Sequence, residues 1–186
     1  MQLETTRLHL CEFTLTDWSA VQSYCGDPIV VQYMPFGPNT DAETQAWLQW
    51  CLEQGQTEPR QIYSLAIVLK STGQLIGNCT LALNPAEPRE AAFSYLLNRA
   101  YWGQGYATEA MHALFTFGFK ELGLHRVADA VDPANIASIR VLEKLGLRRE
   151  GHLRAALWHQ GRWCDEYLYA ILADEWQTGQ QGEASQ

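Results

Sequence analysis

The chain has 186 residues, of which 47% are hydrophobic and 18% charged, so it is long enough to bury the core of a globular domain. This composition excludes a disordered or a collagen-like chain. Thirteen Lys and Arg against 21 Asp and Glu leave a formal net charge of −8, which argues against a broad basic surface. We therefore expect neither a nucleic-acid partner nor a membrane partner.

The N-terminal residues Met1 to Arg7 carry no basic stretch followed by a long apolar run, so we expect a cytoplasmic protein. The five cysteines form an odd set without a Cys-x-x-Cys pair, which favours neither a disulfide framework nor a metal site. We interpret them as small, mostly buried hydrophobic residues. These are Cys11, Cys25, Cys51, Cys79 and Cys164.

The first elements are predicted from caps and apolar spacing. Leu8 to Phe13 reads as a first strand, and Thr16-Asp17-Trp18 opens a short helix that stops near Gly26. Thr40 and Glu43 have the spacing of a capping box, which predicts a second helix from about Asp41 to Gly55. Within it Trp47 and Trp50 lie at helical spacing, and we assign both to the core.

The middle of the chain alternates strands and helices. Two β-rich runs, 62–69 and 75–83, flank a Gly-containing turn and predict a hairpin, and another strand follows at 91–97. Apolar residues at helical spacing then predict a helix from Tyr106 to Leu122, which Gly123 ends.

The last third predicts a strand at 126–131, a helix at 135–145 and two strands at 147–158 and 163–173, turned at 159–161. The order β-α-α-β-β-β-α-β-α-β-β indicates an α/β fold with about seven strands in a mixed sheet and four flanking helices. The strand-helix-strand unit in its middle requires a parallel pair. We assign residues 1–176 to a single domain and the polar residues 177–186 to a frayed tail.

The most informative segment, Asn98 to Ala110, lies between a predicted strand and the start of the long helix. Glycines permit tight turns, and a helix start presents unpaired amides with a partial positive charge, which together can hold phosphate. An ordinary Gly-rich turn stays an alternative. A dinucleotide-binding Gly-x-Gly-x-x-Gly is excluded because Thr108 occupies the third glycine position, and no Gly-Lys-Ser/Thr follows for a nucleotide-triphosphate loop.

Residues 102–107 resemble the pyrophosphate loop of the GNAT superfamily of acetyl-coenzyme A (acetyl-CoA) dependent N-acetyltransferases, Gln/Arg-x-x-Gly-x-Gly/Ala, with Trp102 at the first position. The string Tyr-Trp-Gly-x-Gly-Tyr-Ala-Thr-Glu-Ala of the RimJ/RimL ribosomal-protein N-terminal acetyltransferases runs from Tyr101 to Ala110. Segments 5–10, 135–146 and 161–167 resemble further parts of that branch. The resemblance implies a GNAT fold, acetyl-CoA as cosubstrate and no metal.

The resemblance also implies which residues bind the cofactor. The loop would hold the pyrophosphate, and the pantetheine arm would lie along the strand 95–97, which in the family splays from the next strand near Asp129 to Val131. Asn135 and Ser138 would face the distal arm and the sulfur. The implied cofactor-binding residues are therefore Tyr95, Leu96, Leu97, Trp102, Gly103, Gln104, Gly105, Tyr106, Ala107, Thr108, Asn135 and Ser138.

Asn135 and Ser138 also have a purely structural interpretation. Asn135 follows Pro133 at a helix start, where an Asn side chain commonly accepts a hydrogen bond from an amide of the first turn. Both interpretations stay open from the sequence.

Catalysis requires a base for the amine and a donor for the leaving thiolate. The resemblance implies Ser138 as the thiolate donor, but Leu157 and Ala92 occupy positions where relatives carry Glu. We predict Glu90 as the base, with Asp165, Glu166, His152 and His159 as alternatives.

The predicted function is direct transfer of an acetyl group to a primary amine, with a ribosomal-protein or other peptide N-terminus as the expected acceptor. A small-molecule amine such as a polyamine or an antibiotic-like compound is the alternative acceptor. A non-catalytic module that binds acyl-CoA is a further alternative, supported by the missing acidic positions. We expect a monomer or a homodimer.

Overall fold

A computed structural model describes residues 1–87, 89–159 and 161–177. The chain forms two compact units, one of Met1–Ala82 with Ser94–Leu114, the other of Leu83–Phe93 with Phe115–Gln186. One strand and one helix run through both units. The predicted polar tail lies outside the described residues from position 178 onward, as does position 160 in the predicted turn 159–161.

The first unit contains four antiparallel neighbours, β1 to β4. Leu10 pairs with Leu3 on one side and with Ile67 on the other, and its side chain is fully buried. Strand β1 is absent from the sequence prediction because a three-residue strand carries too little alternation to be recognised. The bounds are Gln2–Glu4 (β1), Leu8–Cys11 (β2), Ile62–Leu69 (β3) and Leu75–Leu83 (β4).

Two helices of the first unit, α1 (Trp18–Cys25) and α2 (Asp41–Gln56), lie where the sequence predicts them. The capping box at the start of α2 is confirmed. The Glu43 amide donates a hydrogen bond to Thr40 Oγ1 at 3.3 Å, and the Thr40 amide donates one to Glu43 Oε2 at 2.7 Å. Buried side chains of both helices form one hydrophobic cluster with residues of the strands. Its members include Val21, Tyr24, Leu48, Cys51, Ala66 and Leu96.

Strand β5 (Glu90–Leu97) ends beside β4 in the first unit. The Asn98 amide donates to Ile76 O at 2.8 Å, and a Cβ on Gly77 would lie 2.1 Å from Leu96 O. Only glycine therefore fits at position 77, because any larger side chain would clash with the main chain of β5. This close approach fixes the strand that leads into the Gly-rich loop.

In the second unit, β5 pairs in parallel with β6 at Glu90–Arg126 and Ala91–Val127, which confirms the predicted parallel pair. Strand β8 is antiparallel to β6, and β7 is antiparallel to β8. The second half of α3 contributes Phe115, whose ring packs on the rings of Phe93 and Trp176. The ring centres are 5.1 Å apart for Phe93 and 5.8 Å apart for Trp176. The bounds are Tyr106–Lys120 (α3), Arg126–Val131 (β6), Ile136–Lys144 (α4), Arg148–His159 (β7) and Arg162–Leu172 (β8).

The fold class is confirmed as α/β with mixed strand directions. The described residues hold eight strands, the four predicted α-helices and a further helical segment at 173–177, against the predicted seven strands and four helices. The elements absent from the prediction are therefore β1 and the segment at 173–177. None of the described helices is both long and apolar enough to cross a membrane.

Candidate active site

The Gly-rich loop is a chain reversal between β5 and α3 that only glycine accommodates well. After a 3-10 turn at Arg99–Tyr101, Gly103 and Gly105 adopt φ values of +74° and +83°, and α3 begins at Tyr106. A Cβ on Gly103 would meet no atom within 4 Å, so glycine is needed there for backbone conformation and not for space. The predicted loop at a helix start is thus present.

The start of α3 presents main-chain donors at the end of this loop. The Glu109 amide donates to Gly105 O at 3.0 Å, which makes Gly105 the acceptor of the first helical turn. The amides of Tyr106, Ala107 and Thr108 precede that first bond and point out of the helix end, where the helix dipole adds a partial positive charge. Gln104 and Gly105 are exposed, so an anion can reach these donors.

Trp102 stands where the family pattern has Gln or Arg, and the structure gives it a defined contact. Its indole N–H donates to Leu97 O at 2.8 Å, while 42% of the residue stays exposed. The Leu97 carbonyl at the end of β5 is therefore engaged within the protein. Tyr101 is tied in a similar way, because its hydroxyl donates to Gln74 Oε1 at 2.7 Å.

Two charged residues at the loop were not predicted as site residues. Arg7 donates to Gln104 O and pairs with Glu109 in the first turn of α3. Because more than 90 positions separate Arg7 from the loop, no local spacing reveals the contact. The only sequence signal is their joint occurrence in the two segments that resemble the family.

Asn135 caps α4, as its structural interpretation predicts. Its Oδ1 accepts a hydrogen bond from the Ser138 amide at 3.1 Å, and Ser138 is half-buried in the first turn of the helix. The cap occupies one lone pair of the Asn135 amide oxygen and leaves the Ser138 hydroxyl out of that hydrogen bond. Cofactor contacts by these two residues stay predictions.

Glu90, the predicted base, lies at the first residue of β5. Its Oε1 is 3.7 Å from Arg126 Nε, and the Arg126 guanidinium also holds Glu150, with Nη2 at 2.6 Å from Oε2. Glu90 is thus one of two carboxylates around one cation. Its catalytic role stays a prediction.

Glu166 and Asp129 are acidic residues of the second unit whose pKa values are raised. Burial, followed by the nearby Asp132, raises the pKa of Glu166. Burial also raises the pKa of Asp129, although the amides of Ala130 and Phe93 donate to its carboxylate. Within the described chain Glu166 makes no ion pair, which distinguishes it from Glu90 and from Asp165, whose carboxylate lies 2.6 Å from His152 Nε2.

The buried thiols of Cys25 and Cys51 are poorly suited to act as nucleophiles. Burial raises the pKa of both Cys25 and Cys51 to about 12, so these thiols stay protonated near neutral pH. Four of the five cysteines are buried and all five are free, which confirms the predicted packing role except at half-buried Cys11. The described residues contain no group of three or more side chains that could hold a metal ion.

These features belong to two units. The loop, Arg7 and the strand end Tyr95 to Leu97 lie in the first unit, whereas β6, α4 and the β7–β8 hairpin lie in the second. A Gly-rich loop that leads from a strand into a helix start is an arrangement that proteins commonly use to bind the phosphate groups of a cofactor.

Comparison with known proteins identifies the family to which this chain belongs. Residues 7–148 match the acetyltransferase (GNAT) domain, and the chain belongs to this family of acetyl-CoA-dependent N-acetyltransferases. It is 34% identical over 176 residues to the uncharacterized N-acetyltransferase YnaD of Bacillus subtilis, covering 95% of this chain and 99% of that one.

A solved structure and an enzyme of named substrate are also similar. The crystal structure of a GNAT-family acetyltransferase from Bacillus anthracis aligns with a TM-score of 0.83 at 32% identity, covering 94% of this chain and 99% of that one. The [ribosomal protein uS5]-alanine N-acetyltransferase of Escherichia coli is 28% identical over 85 residues, which is 46% of this chain and 44% of that one.

Proposed function

We propose that the acceptor is the α-amino group of a polypeptide N-terminus and that Glu166 receives its proton. The observation that carries this proposal is the cross-strand pair of Leu153 on β7 and Glu166 on β8. Directly opposite residues of antiparallel strands place their side chains on the same face. A carboxylate that makes no ion pair with any described residue and an apolar side chain that is 41% exposed thus stand side by side.

This pair suits an amine that is attached to an apolar body. Glu166 can attract and deprotonate the ammonium group, and Leu153 can pack on the first side chain of the peptide. An α-amino group has a pKa near 8, against about 10.4 for a lysine-type amine, so a carboxylate whose pKa is raised is sufficient to assist it. The similarity to the uS5-alanine enzyme supports the same acceptor class.

The chemistry of the transfer assigns separate tasks to this chain. Acetyl-CoA supplies an acetyl thioester. The loop amides bind and orient its phosphates, Glu166 takes a proton from the amine, and Ser138 donates a hydrogen bond to the thiolate that leaves. No enzyme nucleophile is needed, which agrees with the protonated state of the buried thiols.

A thiol-release assay over N-terminal peptides and small amines tests the proposal. We expect peptides with a small first residue to give kcat/KM values at least 10-fold above those of spermidine and aminoglycosides, and Leu153→Ala to raise the peptide KM several-fold. Ala173→Ser, which changes a residue just beyond β8, is the control and should leave the peptide KM unchanged. A higher kcat/KM for any small amine would contradict the proposal and favour the alternative acceptor.

A further inference from the structure

Arg7 reaches the Gly-rich loop from the turn between β1 and β2. Its Nη1 donates to Gln104 O at 3.0 Å, and its Nε donates to Glu109 Oε2 at 2.6 Å. The guanidinium carbon lies 4.4 Å from the centre of the Tyr106 ring. Two of the three guanidinium nitrogens are therefore fixed, one by the loop and one by the first turn of α3.

Glu109 holds the main chain around Arg7 as well as its side chain. Glu109 Oε1 accepts the Arg7 amide at 2.8 Å and the Thr5 hydroxyl at 2.7 Å. Burial raises the pKa of Glu109, but the hydrogen bonds from Thr5 and Arg7 outweigh this effect, so its pKa is lowered and it is ionised at neutral pH. The guanidinium consequently has one defined orientation relative to α3.

The third nitrogen, Nη2, is the one left for a ligand. A Cβ on Gly105 would lie 3.4 Å from Nη2, so this nitrogen lies next to the loop residue that precedes α3. The Arg7 side chain is 44% exposed, and within the described part of the chain Nη2 has no hydrogen-bond acceptor. Its two N–H groups can donate outward beside the amides of the helix start.

We propose that Arg7 is a binding residue for the diphosphate of acetyl-CoA. The loop from Tyr101 to Thr108 contains no Lys or Arg, so Arg7 supplies the cationic donor that the loop lacks. A guanidinium fixed by Glu109 retains a free edge for phosphate, and the planar N–H groups match phosphate oxygens in geometry. The inference rests on the family's use of acetyl-CoA and is independent of the acceptor proposed above.

Calorimetry with CoA and with 3′-dephospho-CoA tests this inference without turnover. We expect Arg7→Gln to weaken both ligands by about 10-fold to 100-fold, the value of a hydrogen bond to a charged group. Arg7→Lys, which keeps the charge but loses the fork, should fall between wild type and Arg7→Gln. Equal losses for both ligands point to the diphosphate, whereas a loss for CoA alone would assign Arg7 to the 3′-phosphate and overturn the proposal.

Salt dependence separates phosphate binding from a purely structural brace. If Arg7 only holds the loop in place, its removal should change the Kd by the same factor at every salt concentration. If Arg7 binds phosphate, its removal should make the Kd less sensitive to salt. Arg60→Gln is a matched control, because Arg60 also pairs with a carboxylate, Glu12, at 2.7 Å and stacks on a tyrosine, Tyr63, at 4.6 Å. An unchanged salt dependence in Arg7→Gln, or an equal loss of CoA affinity in Arg60→Gln, would overturn the proposal.

Discussion

The Phe93 amide donates to Asp129 Oδ2 at 3.1 Å, so a side chain of β6 takes a hydrogen bond from the main chain of β5. Two residues earlier the same strands pair at Ala91–Val127 through the parallel ladder. A carboxylate therefore stands where the main-chain ladder would continue. Because burial raises the pKa of this carboxylate, the contact responds to pH.

The first prediction concerns stability and the charge on Asp129. Since its folded-state pKa lies above the usual 3.8, its contribution to stability is complete below about pH 3.8 and is lost as the pH rises through the raised value. We expect the free energy of unfolding of wild type, relative to Asp129→Asn, to fall as the pH rises above about 3.8. Urea denaturation at several pH values measures the difference.

Asp165→Asn is the control of opposite sign. A hydrogen bond from the Ala155 amide, followed by one from His152, lowers the pKa of Asp165, so its contribution is present above its usual pKa and lost as the pH falls. Relative to this variant, wild type should gain stability as the pH rises. The same trend for both variants would contradict the assigned origin of the shift at Asp129.

Local patterns predicted the elements well because each depends on neighbouring residues. The capping box of Thr40 and Glu43 sets the start of α2, and the predicted strand-helix-strand order yields the parallel pair of β5 and β6. The placement of Trp47 is also confirmed, because it packs on Phe13 with ring centres 5.2 Å apart. The assignment of Trp50 to the core is wrong, because Trp50 lies one turn further along α2 and is 39% exposed.

The contacts that complete the site could not be predicted from spacing. Arg7 and Glu109 are 102 positions apart, and Phe93 and Asp129 are 36 apart. Neither pair lies within one helix turn or one hairpin, so only the packed fold brings them together. For the same reason the raised pKa of Glu166 could not be predicted, because it comes from burial in the fold and from Asp132, which is 34 positions away.

The second prediction concerns the loop. Gly105→Pro removes an amide donor and cannot adopt the φ of +83° at this position, so CoA binding should be lost or weakened by at least 100-fold. Gly73→Pro is the matched control, since Gly73 has a φ of +69° in the β3–β4 turn of the same unit. Both variants should lose stability, and calorimetry should find weaker CoA binding only for Gly105→Pro. Unchanged binding in folded Gly105→Pro would remove the loop from the cofactor site.

The third prediction separates catalysis from capping at the start of α4. Ser138→Ala deletes a hydroxyl but keeps the main-chain amide that donates a hydrogen bond to Asn135 Oδ1. We therefore expect about 10-fold to 1,000-fold slower turnover with the CoA affinity retained. Asn135→Ala removes the cap and should lower the free energy of unfolding by about 1 kcal/mol. Steady-state kinetics and urea denaturation of both variants provide the test. Wild-type turnover in Ser138→Ala would leave this residue without a catalytic role.

The fourth prediction concerns the base and is read from the pH dependence of kcat/KM with a peptide acceptor. Glu166 must be ionised to accept a proton, so activity should rise with pH through its raised pKa and then level off until the amine itself titrates near pH 8. Glu166→Gln should lose about 100-fold to 10,000-fold in kcat/KM together with this rise.

Asp132→Asn provides the sharper test, because the carboxylate of Asp132 contributes to the raised pKa of Glu166 without being the base. Removing its charge should shift the acidic limb of the profile to lower pH while the maximum rate is largely kept. Glu90→Gln is the competing variant, since Glu90 is the base predicted from the sequence. If Glu90→Gln abolishes the acidic limb and Glu166→Gln retains it, the base is Glu90 and the proposed role of Glu166 is wrong.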